Sequence, residues 1–399
     1  MLTEQELRKF ASVLLWALKN ARHKPFRRGD VVRVIYDLPA VRLAELVHEK
    51  LVRAGYHAAM RTGETPCMER NFYGLADGRQ LSHISAGTRE LFDTLNGSIY
   101  IIAPESLTHL RDIDPSRMGI TMLARKPLRE ILNRREEKGL FGWTLCTLPT
   151  KALAEKAGMS FNSYKEQVVK ACYLDKQDPA AAWEAIYRRA LKIKKWLKSL
   201  NIETLHVESA NIDLKILLGE KRRWLGISGH NIPSFEIFTS PDWRGTEGVY
   251  YSNLPSYKSG NYVEDVRLEF KRGCAIKQTA RKGEKFVRKM AALDATANKV
   301  GEFSLTDNRF SRITKFMADT LYDENFGGPN GNCHLAIGSS YSDTFDGNPA
   351  LLTKARKKAM GFNDSSLHWD LVNTEKKRVT ALLKNGGRKV IYENGQFAL

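Results

Sequence analysis

The chain has 399 residues, and its hydrophobic share of 42% and charged share of 27% are typical of a globular protein with about two domains. No segment approaches the ~20 apolar residues that cross a bilayer, and the acidic start around Glu4 and Glu6 differs from a basic secretion signal, so we predict a cytoplasmic protein without membrane association. The net charge of +18 would attract phosphates, so nucleic acid has to be considered as a partner.

The first half of the chain alternates helical and strand patterns. Apolar residues at helical spacing predict a helix over residues 4–20, and the β-rich run 31–36 predicts a strand. The next predicted elements are a helix over 40–54 and strands over 57–61, 98–102 and 143–146. This alternation predicts βαβ units around a mainly parallel sheet, which we assign to an N-terminal α/β domain over residues 1–200. No glycine-rich dinucleotide or nucleoside-triphosphate motif accompanies it.

The second half is predicted to be rich in short strands. A helix over residues 180–200 has an apolar stripe opposite its lysines, and it precedes the change in pattern. The strands predicted after it cover residues 204–208, 213–218, 248–251 and 266–270. The segment 386–397 predicts a strand that ends in an Asn-Gly turn. We therefore predict a C-terminal, β-rich α+β domain over residues 201–399.

Acids and histidines accumulate in this second domain at strand spacing. His368 and Asp370 alternate with Leu367, Trp369 and Leu371, which is the period of a half-buried strand, so both polar side chains point to one face. Taken alone, a His-x-Asp pair is usually a solvated face or a hydrogen-bonded pair. The pair supports a metal site only together with the other acids and histidines of this domain.

Three further segments place a histidine or an acid where a metal ion could be bound. His334 is predicted to share a strand face with the small Ala336 and Gly338, which leave room for an ion, and Cys333 is predicted to lie in the core. Glu236 and Glu302 each stand in an apolar run, where a lone charge is costly unless it is paired or coordinated.

Carboxylates and imidazoles together are ligands for divalent cations that polarise carbonyls and activate water. The first hypothesis from the residues is therefore a metal-dependent hydrolase, with these candidate site residues: Glu236, Glu302, Glu324, His334, Tyr341, His368 and Asp370. Periodicity does not establish that they converge, and each acid taken alone is more often a solvent-facing residue or an ion-pair partner.

Five ordered motifs carry a resemblance to a known family. They are Asn-Ile-Pro-Ser-Phe-Glu-Ile-Phe-Thr-Ser-Pro (231–241), Val-Gly-Glu-Phe-Ser-Leu (300–305), Asp-Glu-Asn (323–325), His-Leu-Ala-Ile-Gly-Ser-Ser-Tyr (334–341) and Asn-Asp-Ser-Ser-Leu-His-Trp-Asp (363–370). With upstream matches at 145–150 and 157–160, the chain resembles the thermophilic-type metalloaminopeptidase family over nearly its full length.

This resemblance implies an aminopeptidase that removes N-terminal residues from peptides with a free N-terminus, by water activated between two metal ions. Two divalent ions per chain, whether zinc, cobalt, manganese or magnesium, would be held by Glu236, Glu302, Glu324, His334, His368 and Asp370, with Tyr341 as the active-site tyrosine. Glu302 is the carboxylate we expect to bridge the ions. The C-terminal domain would be catalytic, and the family implies a homodimer. The general base stays unassigned among the acids.

Two departures from the family pattern bear on specificity. Phe235 stands where the family has a small glycine, and residues 303–306 replace a glycine-rich continuation. The first is expected to narrow the substrate pocket or to reshape the entry to the metals. Neither departure removes a ligand, so the reaction class is expected to hold.

Three other functions are compatible with these residues. Another metallohydrolase, such as a carboxypeptidase or an amidase, would use similar ligands. A nucleic-acid-binding protein would account for the charge, but the basic runs are scattered and lack interleaved aromatic residues, which favours a solvated basic surface. A structural metal protein would use closed Cys/His sites, whereas the five cysteines are dispersed without a Cys-x-x-Cys pair and are predicted to be reduced thiols.

Overall fold

The structure is a computed structural model that describes the backbone of residues 1–399 and every side chain except those of Pro115 and Ala350. It divides into two compact units. The first comprises Met1–Trp183 and Ser228–Pro233, and the second comprises Glu184–Ile227 and Ser234–Leu399. The predicted boundary between folding domains after residue 200 stays a prediction.

The helices range from a single turn to 21 residues. They are α1 Glu4–Asn20, α2 Val41–Arg53, α3 Pro66–Leu75, α4 Gly78–Ser82, α5 Thr88–Thr94, α6 Pro115–Ala124, α7 Lys126–Glu137, α8 Lys151–Lys156, α9 Phe161–Ala171, α10 Pro179–Ser199, α11 Glu284–Ala291, α12 Thr320–Asp323 and α13 Lys354–Ala359. Within the described part of the chain, none of them is both long enough and apolar enough to span a membrane.

The strands form three sheets. They are β1 Val31–Tyr36, β2 His57–Thr62, β3 Leu95–Ile102, β4 Gly142–Thr147, β5 Ile202–Glu208, β6 Asp213–Leu217, β7 Asn231–Ile232, β8 Glu236–Thr239, β9 Glu247–Ser252, β10 Ser256–Lys258, β11 Asn261–Lys271, β12 Cys274–Lys282, β13 Val300–Thr306, β14 Asn332–Gly338, β15 His368–Asn373, β16 Arg378–Leu383, β17 Arg388–Glu393 and β18 Gln396–Phe397.

The first unit contains a five-stranded sheet in the order β2-β1-β3-β4-β7, and every neighbouring pair in it is parallel. Helix α1 begins with a capping box between Thr3 and Glu6, and its apolar stripe buries Phe10, Leu14 and Leu18 at helical spacing. Parallel strands need crossover connections, which the intervening helices supply. The predicted βαβ arrangement is confirmed.

The second unit contains two antiparallel sheets. The larger has the order β10-β11-β9-β6-β5-β16-β17-β18, with β12 paired to β11, and the smaller has the order β15-β14-β13-β8. Asn394 and Gly395 connect β17 and β18 with φ angles of 53° and 77°, as a tight hairpin turn requires. The predicted fold class, a parallel α/β part followed by a β-rich part, is confirmed.

Gly338 shows how tightly the smaller sheet is packed. Its φ is +104°, and an added Cβ would lie 2.1 Å from the carbonyl oxygen of Leu367. We expect Gly338→Ala to destabilise the protein by more than the ~1–3 kcal/mol that a strained backbone alone costs. Thermal and urea denaturation of the metal-free protein would measure this. Gly119→Ala is the matched control, because nothing lies within 4 Å of its added Cβ; equal midpoints for the two variants would contradict the prediction.

Candidate metal centre

The four-stranded sheet brings the predicted site residues to one face. Across its strands, Glu302 pairs with Ala336, and Ala336 pairs with Asp370. Paired residues share a face, and so do residues two apart on a strand. By this rule His334 and His368 lie on the same side as Glu302, and Glu236 joins them through its pairing with Thr306 on β13.

The opposite face of this sheet is mostly apolar. Ile237, Leu305, Leu335 and Leu371 are fully buried, and Trp369 is 1% exposed. Burial of these side chains fixes the register, since a slip by one residue would turn every acid toward the core. Alternation in the sequence therefore decides which side of each strand is polar.

His334 lies at the centre of the cluster. Its Nε2 is 3.1 Å from Oε1 of Glu302, 3.3 Å from Oε2 of Glu236 and 3.8 Å from Oδ1 of Asp370. The second imidazole reaches the same acids, because Nε2 of His368 lies 3.3 Å from Oδ1 of Asp370 and 3.7 Å from Oε2 of Glu302. The two oxygens of Glu302 thus face the two different imidazoles.

Glu324 and Tyr341 enter the site from outside the sheet. Glu324 caps the C-terminal end of α12 and is 7% exposed, and its pKa is raised by burial and by the same group of carboxylates. Tyr341 is 43% exposed, and its ring centroid lies 4.8 Å from that of His368 and 5.7 Å from that of Phe238. All seven predicted residues therefore belong to one neighbourhood, with Tyr341 on its open side.

Two imidazoles and two carboxyl groups of the cluster have raised pKa values. Burial alone would lower the pKa of His334, but the hydrogen bond to Glu302 and the nearby carboxylates raise it to about 9. Burial likewise opposes the increase at His368, whose pKa is raised to about 9 mainly by Asp370. Burial raises the pKa of Glu236 and of Glu324 well above the usual range of a carboxyl group.

The donor set fits a divalent metal centre. Ligand atoms of Glu236, Glu302 and His334 lie within 4.8 Å of one another, and all three residues are buried. Oxygen and nitrogen donors of this kind suit zinc, cobalt, manganese and magnesium. Buried carboxylates without a cation are costly, and the raised pKa values express that cost as retained protons.

Two groups around the site were not predicted from the sequence. The carbonyl oxygen of Ser339 accepts a hydrogen bond from Nδ1 of His368 at 2.8 Å, which leaves Nε2 directed at the acids. Lys258 on β10 donates to the carbonyl oxygen of His368 at 2.7 Å, and its charge adds to that of His368, which is the main cause that lowers the pKa of Asp370 against the effect of burial. A single lysine in a hairpin remote in sequence carries no signal that would have identified it.

Phe235, the departure from the family pattern, is fully buried. Its backbone N–H donates to Oδ1 of Asn325, which follows Glu324 in the chain. The expected effect of Phe235 on a substrate pocket stays a prediction.

Metal binding is expected to release protons and to strengthen as pH rises from 7 to 9. With pKa values of about 9, His334 and His368 are protonated at pH 7, and both must lose a proton to become ligands. Calorimetric titration with zinc in two buffers of different ionisation enthalpy should give about two protons or more per saturated chain at pH 7. Release of less than one proton would contradict this charge state.

A family model described as thermophilic metalloprotease (M29) matches residues 3–397. Aminopeptidase T of Thermus thermophilus is 31% identical over 247 residues, which cover 59% of this chain and 58% of that protein. Aminopeptidase AmpS of Bacillus subtilis is 28% identical over 269 residues, covering 64% of this chain and 63% of that protein. Both alignments span less than two thirds of the relative's length.

A solved structure extends the likeness in fold to nearly the whole chain. Wild-type AmpT from Thermus thermophilus superposes with a TM-score of 0.81 at 23% identity, covering 98% of this chain and 99% of that one. This likeness shows that the two chains share a fold.

Proposed function

Since the chain belongs to the thermophilic metalloprotease (M29) family, we propose that it is a metal-dependent aminopeptidase that removes N-terminal residues from peptides. The observation that carries the proposal is the buried cluster in which His334 lies 3.1 Å and 3.3 Å from two carboxylates, Glu302 and Glu236. The names of the curated relatives, aminopeptidases T and AmpS, support the same reaction class.

Six residues of this chain would hold two divalent ions: Glu236, Glu302, Glu324, His334, His368 and Asp370. When bound, the ions would supply a Lewis acid for the scissile carbonyl and lower the pKa of water to near neutrality. Glu302 has one oxygen toward each imidazole, so its carboxylate would help to hold both ions.

The side chain of Tyr341 has a role separate from metal binding. The Tyr341 ring packs against the ring of His368, and the backbone N–H of Tyr341 donates to Oγ of Ser240 at 2.8 Å. These two contacts hold the tyrosine in place on the open side of the site. We assign its hydroxyl to donate a hydrogen bond to the oxyanion of the tetrahedral intermediate, a contact that strengthens as negative charge develops.

We further propose a substrate class, a compartment and an oligomeric state for the enzyme. Its substrates would be peptides with a free α-amine, and it would act in the cytoplasm as a homodimer. Size-exclusion chromatography with light scattering tests the dimer: a mass twice the 45.2 kDa of one chain is expected, and a monomer at micromolar concentration would contradict it.

The test of the reaction uses paired substrates. Chelator-treated protein is incubated with dipeptides that carry either a free or an acetylated N-terminus, with and without added cobalt or zinc. We expect release of the first residue only from free-amine peptides and only with metal.

Two results would contradict this assignment. Turnover of acetylated peptides at the same rate would favour a carboxypeptidase or an amidase, which would use similar ligands. No turnover of either substrate in the presence of metal, with metal binding intact, would retain the metal centre but refute peptide hydrolysis.

A further inference from the structure

Three side chains of the first unit form a hydrogen-bonded chain that the metal centre does not use. The hydroxyl oxygen of Ser228 lies 2.7 Å from Nδ1 of His230. Nε2 of the same ring lies 3.0 Å from Oε1 of Glu136 on α7. A hydroxyl, an imidazole and a carboxylate in this order are the arrangement by which proteins activate a serine nucleophile.

The carboxylate sets the tautomer of the ring. A carboxylate only accepts hydrogen bonds, so in the tautomer that satisfies this contact Nε2 of His230 carries the hydrogen and donates it to Glu136. Nδ1 then presents its lone pair to the hydroxyl of Ser228, which donates to it. The ring is therefore prepared to take a proton from Ser228. The ring nitrogens have exchanged places relative to the familiar triads, but the roles are the same.

Backbone packing holds the serine and the histidine together. The carbonyl oxygen of His230 accepts from the N–H of Leu145 at 2.8 Å, at the start of the pairing between β7 and β4. Gly229, between the two residues, has a φ of +94°, and an added Cβ would lie 2.4 Å from the carbonyl oxygen of Ala17. This turn, which only glycine fits, brings the side chain of Ser228 back to the ring of His230.

The exposure of the group favours reactivity over a structural role. The side chain of His230 is 24% exposed and that of Glu136 is 34% exposed, and Ser228 is half-buried. A typical intramolecular hydrogen bond makes a net contribution of only about 0.5–1.5 kcal/mol to the stability of a fold. All three residues are partly exposed, so the group is not sealed within the core. Trp143 contacts the ring of His230 at a centroid distance of 4.7 Å and limits its rotation.

We propose that Ser228, His230 and Glu136 form a second reactive centre, a serine nucleophile that takes acyl groups from small activated esters without metal. Oγ of Ser228 attacks the ester carbonyl carbon, and its proton passes to Nδ1 of His230. When the tetrahedral adduct collapses, the bond to the leaving oxygen breaks and that oxygen receives the proton. Water, deprotonated by the same nitrogen, then attacks the acyl carbon; the bond to Oγ breaks, Oγ takes the proton back from Nδ1, and the carboxylic acid leaves. Glu136 is a positioning residue, since it touches only the imidazole.

A fluorophosphonate probe tests the proposal on the full chain after chelator treatment, so that chemistry at the metal centre does not contribute. Attack by Oγ of Ser228 forms an O–P bond and expels fluoride, and the adduct adds a defined mass. We expect one adduct, mapped to Ser228 and lost in Ser228→Ala. Ser12→Ala is the matched control, because the Ser12 hydroxyl donates to the backbone of Arg8 and contacts no imidazole.

Glu136→Gln separates a nucleophilic centre from a merely structural contact. The neutral amide no longer stabilises the imidazolium, so the maximal labelling rate should fall by about tenfold or more, while the probe concentration for half-maximal labelling stays unchanged. Chelated wild-type protein should also hydrolyse p-nitrophenyl acetate, and Ser228→Ala should remove this activity.

Three results would overturn the proposal. They are the absence of an adduct on folded wild-type protein, an adduct mapped to a different serine, and labelling of Ser228 at an unchanged rate in Glu136→Gln. If Ser228→Ala fails to fold, peptide mapping of the wild type and the rate of Glu136→Gln decide the question. Neither readout depends on the proposed peptidase activity.

Discussion

Glu302→Gln is expected to lower kcat/KM for dipeptide hydrolysis by at least about a thousandfold. Metal ions contribute several kcal/mol to stabilising a transition state, and each 1.36 kcal/mol is tenfold in rate. Glu302 faces both imidazoles, at 3.1 Å from His334 and 3.7 Å from His368, so its loss affects both proposed ions. Steady-state kinetics at saturating zinc, together with zinc titration, would measure the effect.

The control for this variant is Glu208→Gln. Glu208 belongs to the larger antiparallel sheet, and its side chain is 50% exposed, so the same chemical change there should leave kcat/KM unaltered. The thermal midpoint of both metal-free variants checks that each has folded. Activity of Glu302→Gln within tenfold of wild type would remove Glu302 from the proposed ligand set.

Tyr341→Phe is expected to lower kcat by about a hundredfold with little change in KM. A hydrogen-bond donor to a developing oxyanion contributes about 10²–10³ in kcat, and the substrate carbonyl gains much less from it. Because Tyr341 is 43% exposed, removal of its hydroxyl leaves no buried polar group unpaired, and the thermal midpoint should not move. Kinetics with a free-amine dipeptide would give the two constants separately.

Tyr251→Phe is the matched control for the tyrosine. Its hydroxyl donates to Oδ1 of Asp265 at 2.8 Å on the larger sheet, so it has no part in the proposed chemistry. An unchanged kcat in Tyr341→Phe would end the assignment of its hydroxyl. A rise in KM alone would instead make Tyr341 a residue that binds substrate and transition state equally.

Properties with a short range in sequence were predictable. The helix predicted over residues 4–20 is Glu4–Asn20, and the strand predicted over 31–36 is Val31–Tyr36, because apolar spacing and capping act within a few residues. The same locality placed His368 and Asp370 on one strand face. The Asn394-Gly395 turn follows from the positive φ that both of its positions require.

The resemblance to a family supplied what periodicity did not, which was the grouping of acids from separate segments into one site. Glu236 and Asp370 lie on the two outer strands of the four-stranded sheet, and only the order β15-β14-β13-β8 brings them to the same imidazole. The alternation within a strand predicts which of its side chains share a face. It does not predict which other strand will be its neighbour in the sheet.

Tertiary structure alone decided three further matters. It joined Lys258 to the backbone of His368, and it brought Glu136 from α7 to a ring that belongs to a segment almost a hundred residues later. It also set the pKa values, since the desolvation that raises the pKa of Glu324 depends on what is packed around it. Local sequence determined the elements of this protein and the polar face of each strand, because backbone propensity and side-chain period act over a few residues. The partners of those faces depend on sheet order, register and burial, which arise only when distant segments pack.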